Sequence, residues 1–414
     1  MSALARSATK YVRGALTLAL RREILRALPE RPFALRFWDG SVLSATVGGA
    51  PEFHVRSPAA VAHFLRAPSE LGLGRAYVLG DLATDDLDGA FDIVDGWEPP
   101  PVAIGDRIRL MLAAVPAAAA GGLPRLPPIE LILKGERHSK TRDAAAVRYH
   151  YDVGNEFFAL FLDASMTYSC AIFSRGALTL EEAQRHKLEL VATKLDLKAG
   201  QRLLDVGCGW GSLAIHAATH HDVSVVGITL SKSQAELARR RVAEAGVSDR
   251  VEIRFADYRD LADGPYDAIA SIGMVEHVGE AQIDRYASTL ARLLAPGGRL
   301  LNHGIAALDP DEDPTEDVFS NRYVFPDGEP APLSRIQLSI ERAGLHTTHV
   351  EGFAEDYART LKEWTRRLDD HLDEAERLAG PERTRIWRLY LRAARRGFDV
   401  GLTSVYQVLA HRPM

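Results

Sequence analysis

Leu203-Leu204-Asp205-Val206-Gly207-Cys208-Gly209-Trp210-Gly211 is an apolar run that breaks into a turn with glycine at alternate positions, and Ser212 to Ala218 reads as a helix directly after it. Glycines let the main chain approach a ligand closely, and the free N–H groups at a helix start favour a negative group such as a carboxylate. The stretch therefore predicts a nucleotide-like cofactor at a strand–turn–helix corner. A dinucleotide would call for G-x-G-x-x-G and an acid at the end of the second strand. Here the glycines fall at 207, 209 and 211, position 212 is Ser, and the second strand ends in Gly227-Ile228-Thr229, so neither requirement is met.

Working outward from this corner, strands alternate with helices, the signature of a βαβ sheet covered on both faces. Arg202 to Val206, Val223 to Thr229, Val251 to Phe255, Tyr266 to Ile272 and Arg299 to Gly304 read as successive strands. Ser233 to Glu244 and Gln282 to Leu294 carry helical periodicity, the second closed by Pro296-Gly297-Gly298. In an open sheet of this kind the ligand lies outside the carboxyl ends of the strands. Toward the N-terminus the pattern changes. Phe33 to Trp38, the turn Asp39-Gly40 and Ser41 to Val47 read as a hairpin in a smaller α+β domain. A helix over Ile104 to Val115 and an Ala-, Gly- and Pro-rich segment follow. These shifts divide the chain into an N-terminal domain over 1–115, a linker over 116–145 and a catalytic domain over 146–414.

Composition sets the outer limits. At 414 residues the chain exceeds the size at which one core stops growing. A formal net charge of -6 argues against general nucleic-acid binding. Two cysteines, Cys170 and Cys208, are too few for a disulfide framework or a thiolate metal site, so no metal is expected and a reducing, cytoplasmic setting is. No run approaches the ~20 apolar residues of a spanning helix. The first residues place Arg6, Lys10 and Arg13 on one side of a helical projection and Leu4, Ala8, Tyr11, Ala15 and Leu18 on the other. Such a basic amphipathic helix suits an anionic bilayer surface, and it equally suits the protein's own core.

The glycine corner, taken with Gly227-Ile228-Thr229-Leu230-Ser231-Lys232-Ser233-Gln234, His150-Tyr151-Asp152-Val153-Gly154-Asn155, Tyr168-Ser169-Cys170 and Glu276-His277-Val278-Gly279, resembles the cyclopropane-fatty-acyl-phospholipid synthase family, class I S-adenosylmethionine-dependent methyltransferases that include the mycolic acid cyclopropane synthases. The likeness runs from about Val147 to the C-terminus. It implies a Rossmann-like seven-stranded α/β sheet, S-adenosylmethionine as methyl donor, and the cis double bond of an unsaturated phospholipid acyl chain at the inner membrane surface as acceptor. By the same resemblance Tyr168 and Ser169 contact the donor's methionine end, and Asp205, Gly207 and Gly209 line it. Thr229 and Gln234 hold the ribose, and Asp257 and Tyr258 contact the adenine. Read without the motif, Gln234 is an exposed helix residue. A homodimer is a further expectation from relatives.

An alkene is a weak nucleophile, so its acceptance of the activated methyl leaves a carbocation that must be kept from water and deprotonated to close a three-membered ring. The resemblance supplies bicarbonate as the base, cradled by Cys170, Glu276, His303, Ile305 and Tyr357, with main-chain groups contributing at Cys170 and Ile305. His303 and Tyr357 can donate to that anion and Glu276 can accept from its hydroxyl. The sequence departs from some bacterial relatives in having Arg392 to Phe398 where a C-terminal helix carries a cysteine, which removes any role for that thiol. Phe157, Phe161, Phe173, Trp364, Tyr390 and Tyr406 are candidates for acyl contact and equally for core. Transfer giving a 10-methylene or methyl-branched chain, a small-molecule methyltransferase, and a lipid-binding protein without activity are the alternatives.

Overall fold

The computed structural model describes residues 3–122, 125–308 and 318–414, with the side chains of 1–13, 94–95 and 318 also outside the description. Contacts divide the chain into two compact units, residues 1–130 with 381–389, and residues 131–380 with 390–414.

The first unit is a small α+β body. It begins with helix α1 (Ala3–Ala27), followed by strands β1 (Ala34–Phe37), β2 (Val42–Leu43) and β3 (Glu52–Val55). Then come α2 (Ala59–Arg66), α3 (Glu70–Leu79), β4 (Leu82–Thr84), α4 (Leu87–Gly96) and α5 (Ile104–Gly121). The strands pair in the order β2-β1-β3-β4, and the expected hairpin is present as the antiparallel pairing of Leu35 with Leu43. Leu20 of α1, Phe37, Leu43, Val55, Ala76 and Ala114 close its core. Two members of the expected apolar stripe of α1, Ala15 and Leu18, are exposed, and the inward face is Thr17, Leu20 and Ala27. Arg6, Lys10, Arg13, Leu4, Ala8 and Tyr11 lie outside the described side chains. The stretch Pro116 to Gly121, expected as the start of a linker, continues α5 as helix, because a run of alanines propagates a helix once it has begun.

The second unit holds the sheet. Helices α6 (Lys140–Tyr151), α7 (Asn155–Ala159) and α8 (Leu180–Leu195) precede it. The winding then runs β5 (Arg202–Val206), α9 (Ser212–His221), β6 (Ser224–Thr229), α10 (Lys232–Glu244), β7 (Val251–Phe255), β8 (Tyr266–Ile272), α11 (Ile283–Leu293) and β9 (Leu294–Ala307). It ends with α12 (Val318–Tyr323), α13 (Leu333–Arg342), β10 (His346–Gly352), α14 (Ala354–Asp370), α15 (Leu372–Ala379), α16 (Pro381–Asp399) and β11 (Thr403–His411). The seven strands lie in the order β10-β11-β9-β8-β5-β6-β7, parallel from β9 to β7, with β11 antiparallel to both β9 and β10. This is the Rossmann-like α/β sheet expected from the sequence.

Strand β9 is longer than the sequence suggested. Pro296-Gly297-Gly298 does not merely stop α11; it sits inside the strand, where the pairing with β8 shifts register between Tyr266 and Ala268. Apolar side chains fill both faces of the sheet. Leu204, Val206, Ile269 and Leu300 pack toward α11 and α13, and Leu203, Val225, Ala268 and Leu301 toward α8, α9 and α10. Central strands buried on both sides read as continuous apolar runs, which is why β5, β6 and β8 announce themselves in the sequence. Among the described residues no helix is long and apolar enough to cross a membrane.

Candidate active site

The sheet directs one cleft to the carboxyl end of β5. Gly207 and Cys208 both donate main-chain hydrogen bonds to the Ile228 carbonyl, at 3.0 and 2.9 Å, which turns the chain sharply out of the strand. Gly207 has φ +78°, and a Cβ there would lie 2.5 Å from Met274 Cγ. At Gly209, with φ +52°, a Cβ would meet no atom within 4 Å and would point into open space. The main chain is bare on the side a ligand would approach.

The cleft is lined by eight of the nine residues expected at the methyl donor: Tyr168, Ser169, Asp205, Gly207, Gly209, Thr229, Gln234 and Tyr258. Gln234 is not the exposed helix residue that its type suggests. It is buried, Thr229 Oγ1 donates to its Oε1 at 2.8 Å, and Ser231 caps the start of α10 by accepting from its N–H. The ninth, Asp257, is turned to Arg259, which donates to Asp257 Oδ1 through Nε at 2.8 Å and to Oδ2 through Nη2 at 2.6 Å.

The sequence reading missed three ionic groups on the cleft wall: Asp143, Lys187 and Arg259. Lys187 is fully buried, and its Nζ donates to Ser169 Oγ at 3.0 Å. Burial pushes that ammonium down to about 8, while burial pushes the Asp205 carboxyl up to about 7, with Lys187 pulling it back. Among the described residues Asp205 Oδ2 has no hydrogen-bond partner. A buried ammonium and an unpartnered carboxyl oxygen in one cleft suit a zwitterionic ligand head. Only the periodicity of α8 could have hinted at Lys187, since a lysine on an otherwise apolar inward face is rare without a partner.

Next to the cleft the five residues expected at the acceptor are brought together. Glu276 lies in a short 3-10 turn between Met274 and His277, which line the cleft. Its Oε1 faces the Ile305 N–H at 3.5 Å, its Oε2 has no partner among the described residues, and burial raises the carboxyl to about 7. His303 of β9 is 1% exposed, accepts at Nδ1 from Gln407 Nε2 at 3.0 Å, and among the described residues has no partner at Nε2. Phe353 connects the remaining members. Its ring stacks at 6.4 Å on His303, its carbonyl lies 3.8 Å from Cys170 Sγ, and it accepts from Tyr357 N at 3.0 Å. Enclosure pushes the Tyr357 hydroxyl well above its ordinary range, with Tyr390, Cys170 and Glu276 as electrostatic neighbours, so it stays protonated and able to donate.

The aromatic candidates divide. Phe157, Phe161 and Trp364 are fully buried, and Phe161 packs its ring against both Phe157 and Trp364 at about 6 Å between centroids. They are core beneath the site. Tyr390 and Tyr406 are half-buried, and Phe173 carries the Arg359 guanidinium on its ring at 4.1 Å. Among the described residues, metal-ligating side chains gather at Glu189, His216 and His221, away from the cleft, where both imidazole Nε2 atoms already face the carboxylate at 3.1 and 3.2 Å.

Comparison with known proteins follows the same lines. The family model described as mycolic acid cyclopropane synthetase matches residues 138–408. A probable fatty acid methyltransferase of Mycobacterium tuberculosis is 38% identical over 416 residues, covering 96% of this chain and 95% of the relative. The cyclopropane-fatty-acyl-phospholipid synthase of Escherichia coli is 34% identical over 372 residues, covering 88% and 89%. Among solved structures, a mycolic acid cyclopropane synthase complexed with SAH and CTAB superposes with a TM-score of 0.62 at 35% identity, over 65% of this chain and 98% of that one.

Proposed function

The chain belongs to the mycolic acid cyclopropane synthetase family and is an S-adenosylmethionine-dependent methyltransferase; from that premise we propose that it transfers a methylene group to the cis double bond of an unsaturated phospholipid acyl chain, forming a cyclopropane, with bound bicarbonate as the base. The observation that carries the reading is a pair of buried polar atoms without partners among the described residues, Glu276 Oε2 and His303 Nε2, beside the glycine cleft. Unpaired buried groups are costly, so their retention together argues for a ligand that satisfies both.

When bound, S-adenosylmethionine supplies a methyl carbon activated by the positive charge that its departure neutralises, and bicarbonate supplies a basic oxygen. The protein's part is placement. The turn at 207–211 and the Thr229–Gln234 pair hold the donor, and Tyr168 and Ser169 face its methionine end. Lys187 gives that end a positive charge. His303 Nε2 and the Tyr357 hydroxyl would donate to the anion, and Glu276 would accept from its hydroxyl. The buried carboxylate also favours the developing cation electrostatically. The aromatic floor below excludes water, which would otherwise capture the cation.

Membrane contact is assigned to the first unit. Along α5, Ile104, Ile108, Met111, Leu112 and Val115 form one exposed apolar stripe at helical spacing, the arrangement of a helix lying in a lipid interface. The acyl chain would be drawn from the inner face of the membrane.

A second reading, transfer that leaves a methylene- or methyl-branched chain, is favoured by the likeness over nearly the whole chain to a probable fatty acid methyltransferase. One experiment separates the two. The protein is incubated with S-adenosylmethionine and vesicles of mono-unsaturated phospholipid, and the extracted lipid is examined by proton NMR. Strongly upfield ring-methylene signals are expected. New olefinic methylene or branched-methyl signals would transfer the assignment to the second reading, and unchanged lipid would overturn both.

A further inference from the structure

We propose that Gln407, held by Lys194, is a positioning residue that keeps the single proton of His303 on Nε2, the nitrogen turned to the anion site. The effect on turnover rests on the bicarbonate reading above; the placement of the proton does not.

The observation begins with sheet register. Glu351 of β10, Gln407 of β11 and His303 of β9 are direct Cα partners across three adjacent strands, Glu351 with Gln407 and Gln407 with His303. Lys194, near the end of α8, donates from Nζ to Gln407 Oε1 at 2.6 Å and to Glu351 Oε2 at 2.6 Å. Arg175 donates to the other oxygen of Glu351 at 2.6 Å. A polar ladder thus runs from the surface to the imidazole.

The direction of each bond follows from chemistry. An ammonium only donates, so the amide oxygen of Gln407 must face Lys194 and its NH2 must face His303. An NH2 also only donates, so the nitrogen that it meets at 3.0 Å, Nδ1, must offer a lone pair. A neutral imidazole with a bare Nδ1 carries its proton on Nε2. A second proton would set two N–H groups against each other, and burial, with Lys187 and Lys194 nearby, in any case holds the ring down at about 3. His303 therefore presents one N–H and no net charge. The stacked Phe353 ring, 6° from parallel, fixes the plane in which that N–H points.

The test reads the proton directly. In protein carrying 15N-labelled histidine, long-range 1H–15N correlation, assigned by the signal lost in His303→Asn, is expected to show a protonated Nε2 and a bare Nδ1 at neutral pH. Gln407→Glu offers the ring an acceptor in place of a donor and should move the proton to Nδ1. It should then lower kcat by about 100-fold or more, as a wrong tautomer does at other imidazole sites, with affinity for S-adenosylhomocysteine retained. Lys194→Met, which frees the amide to rotate, keeps the question open to measurement if Gln407→Glu does not fold; a mixture of both tautomers is expected. A wild-type ring protonated on Nδ1, or unchanged kcat in a Gln407→Glu protein whose proton has moved, would overturn the proposal. A wild-type Nε2 proton that shifts as stated, in an enzyme indifferent to bicarbonate, would uphold the ladder and sink the bicarbonate reading alone.

Discussion

Replacing Gly207 by alanine would set a methyl group 2.5 Å from Met274 Cγ at a φ of +78°. Met274 itself lines the cleft, so a displacement there disturbs the donor's wall. We expect Gly207→Ala to cost about 1–2 kcal/mol of stability in denaturant unfolding and to weaken S-adenosylhomocysteine in calorimetric titration; native affinity would discredit the placement of the donor. Glu276 allows a pH argument. Burial raises its carboxyl to about 7, so the group is neutral below that pH and ionised above it. If its ionised oxygen is needed, kcat/KM should fall as pH drops through about 7 at saturating bicarbonate. Glu276→Gln should lose activity by 10²–10⁴-fold while donor binding persists. A flat profile from pH 6 to 8.5, about one unit below to about one and a half above a pKa near 7, would sink this role. Tyr168, Ser169, Cys170, Asp205, Gly207, Gly209, Thr229, Gln234 and Glu276 could be named from sequence because each stands in a compact motif, whereas Asp257, Tyr258, His303, Ile305 and Tyr357 are named only through the family resemblance. Lys187 and Arg259 could be named by neither route, since a charged residue in a helix or turn declares its role only through what tertiary packing sets beside it.

Elements differed in how plainly they were written. Strands β5, β6 and β8 stood out because both faces are buried and they read as apolar runs. By contrast β10, His346-Thr347-Thr348-His349-Val350-Glu351-Gly352, is half-exposed and mostly polar. An edge strand needs no apolar alternation, so only the resemblance anticipated it. The Pro-Gly-Gly of β9 misled for the opposite reason: breaker residues within a strand also mark a bulge. Helix α5 carries the prediction at this scale. Leu112 is 69% exposed, and Leu112→Glu is expected to leave folding intact, because the side chain touches little, while reducing sedimentation with anionic vesicles several-fold. Equal sedimentation would remove α5 from the membrane contact.

For the molecule as a whole, fold class was legible because one glycine corner and the strand–helix alternation around it admit few arrangements. The boundary between units was less so, since alanine-rich sequence serves linker and helix alike, and residues 381–389 cluster with a unit that ends 250 residues earlier. Ligand linkage gives a global test of the cleft. A group that binds only the native state stabilises it by about 2.7 kcal/mol at a hundred times its dissociation constant. S-adenosylhomocysteine should accordingly raise the melting temperature in proportion to the logarithm of its concentration, and NADH should not.

The alignment of Glu351, Gln407 and His303 makes chemistry hostage to strand pairing. Inserting or deleting one residue between Val400 and Thr403 could be absorbed by sliding β11 one step, which preserves hydrogen bonds but reverses which side chains face each way. The imidazole would then find Tyr406 or Val408 opposite it. Drift in length at that corner is consequently a route by which a descendant could keep its shape and lose its reaction.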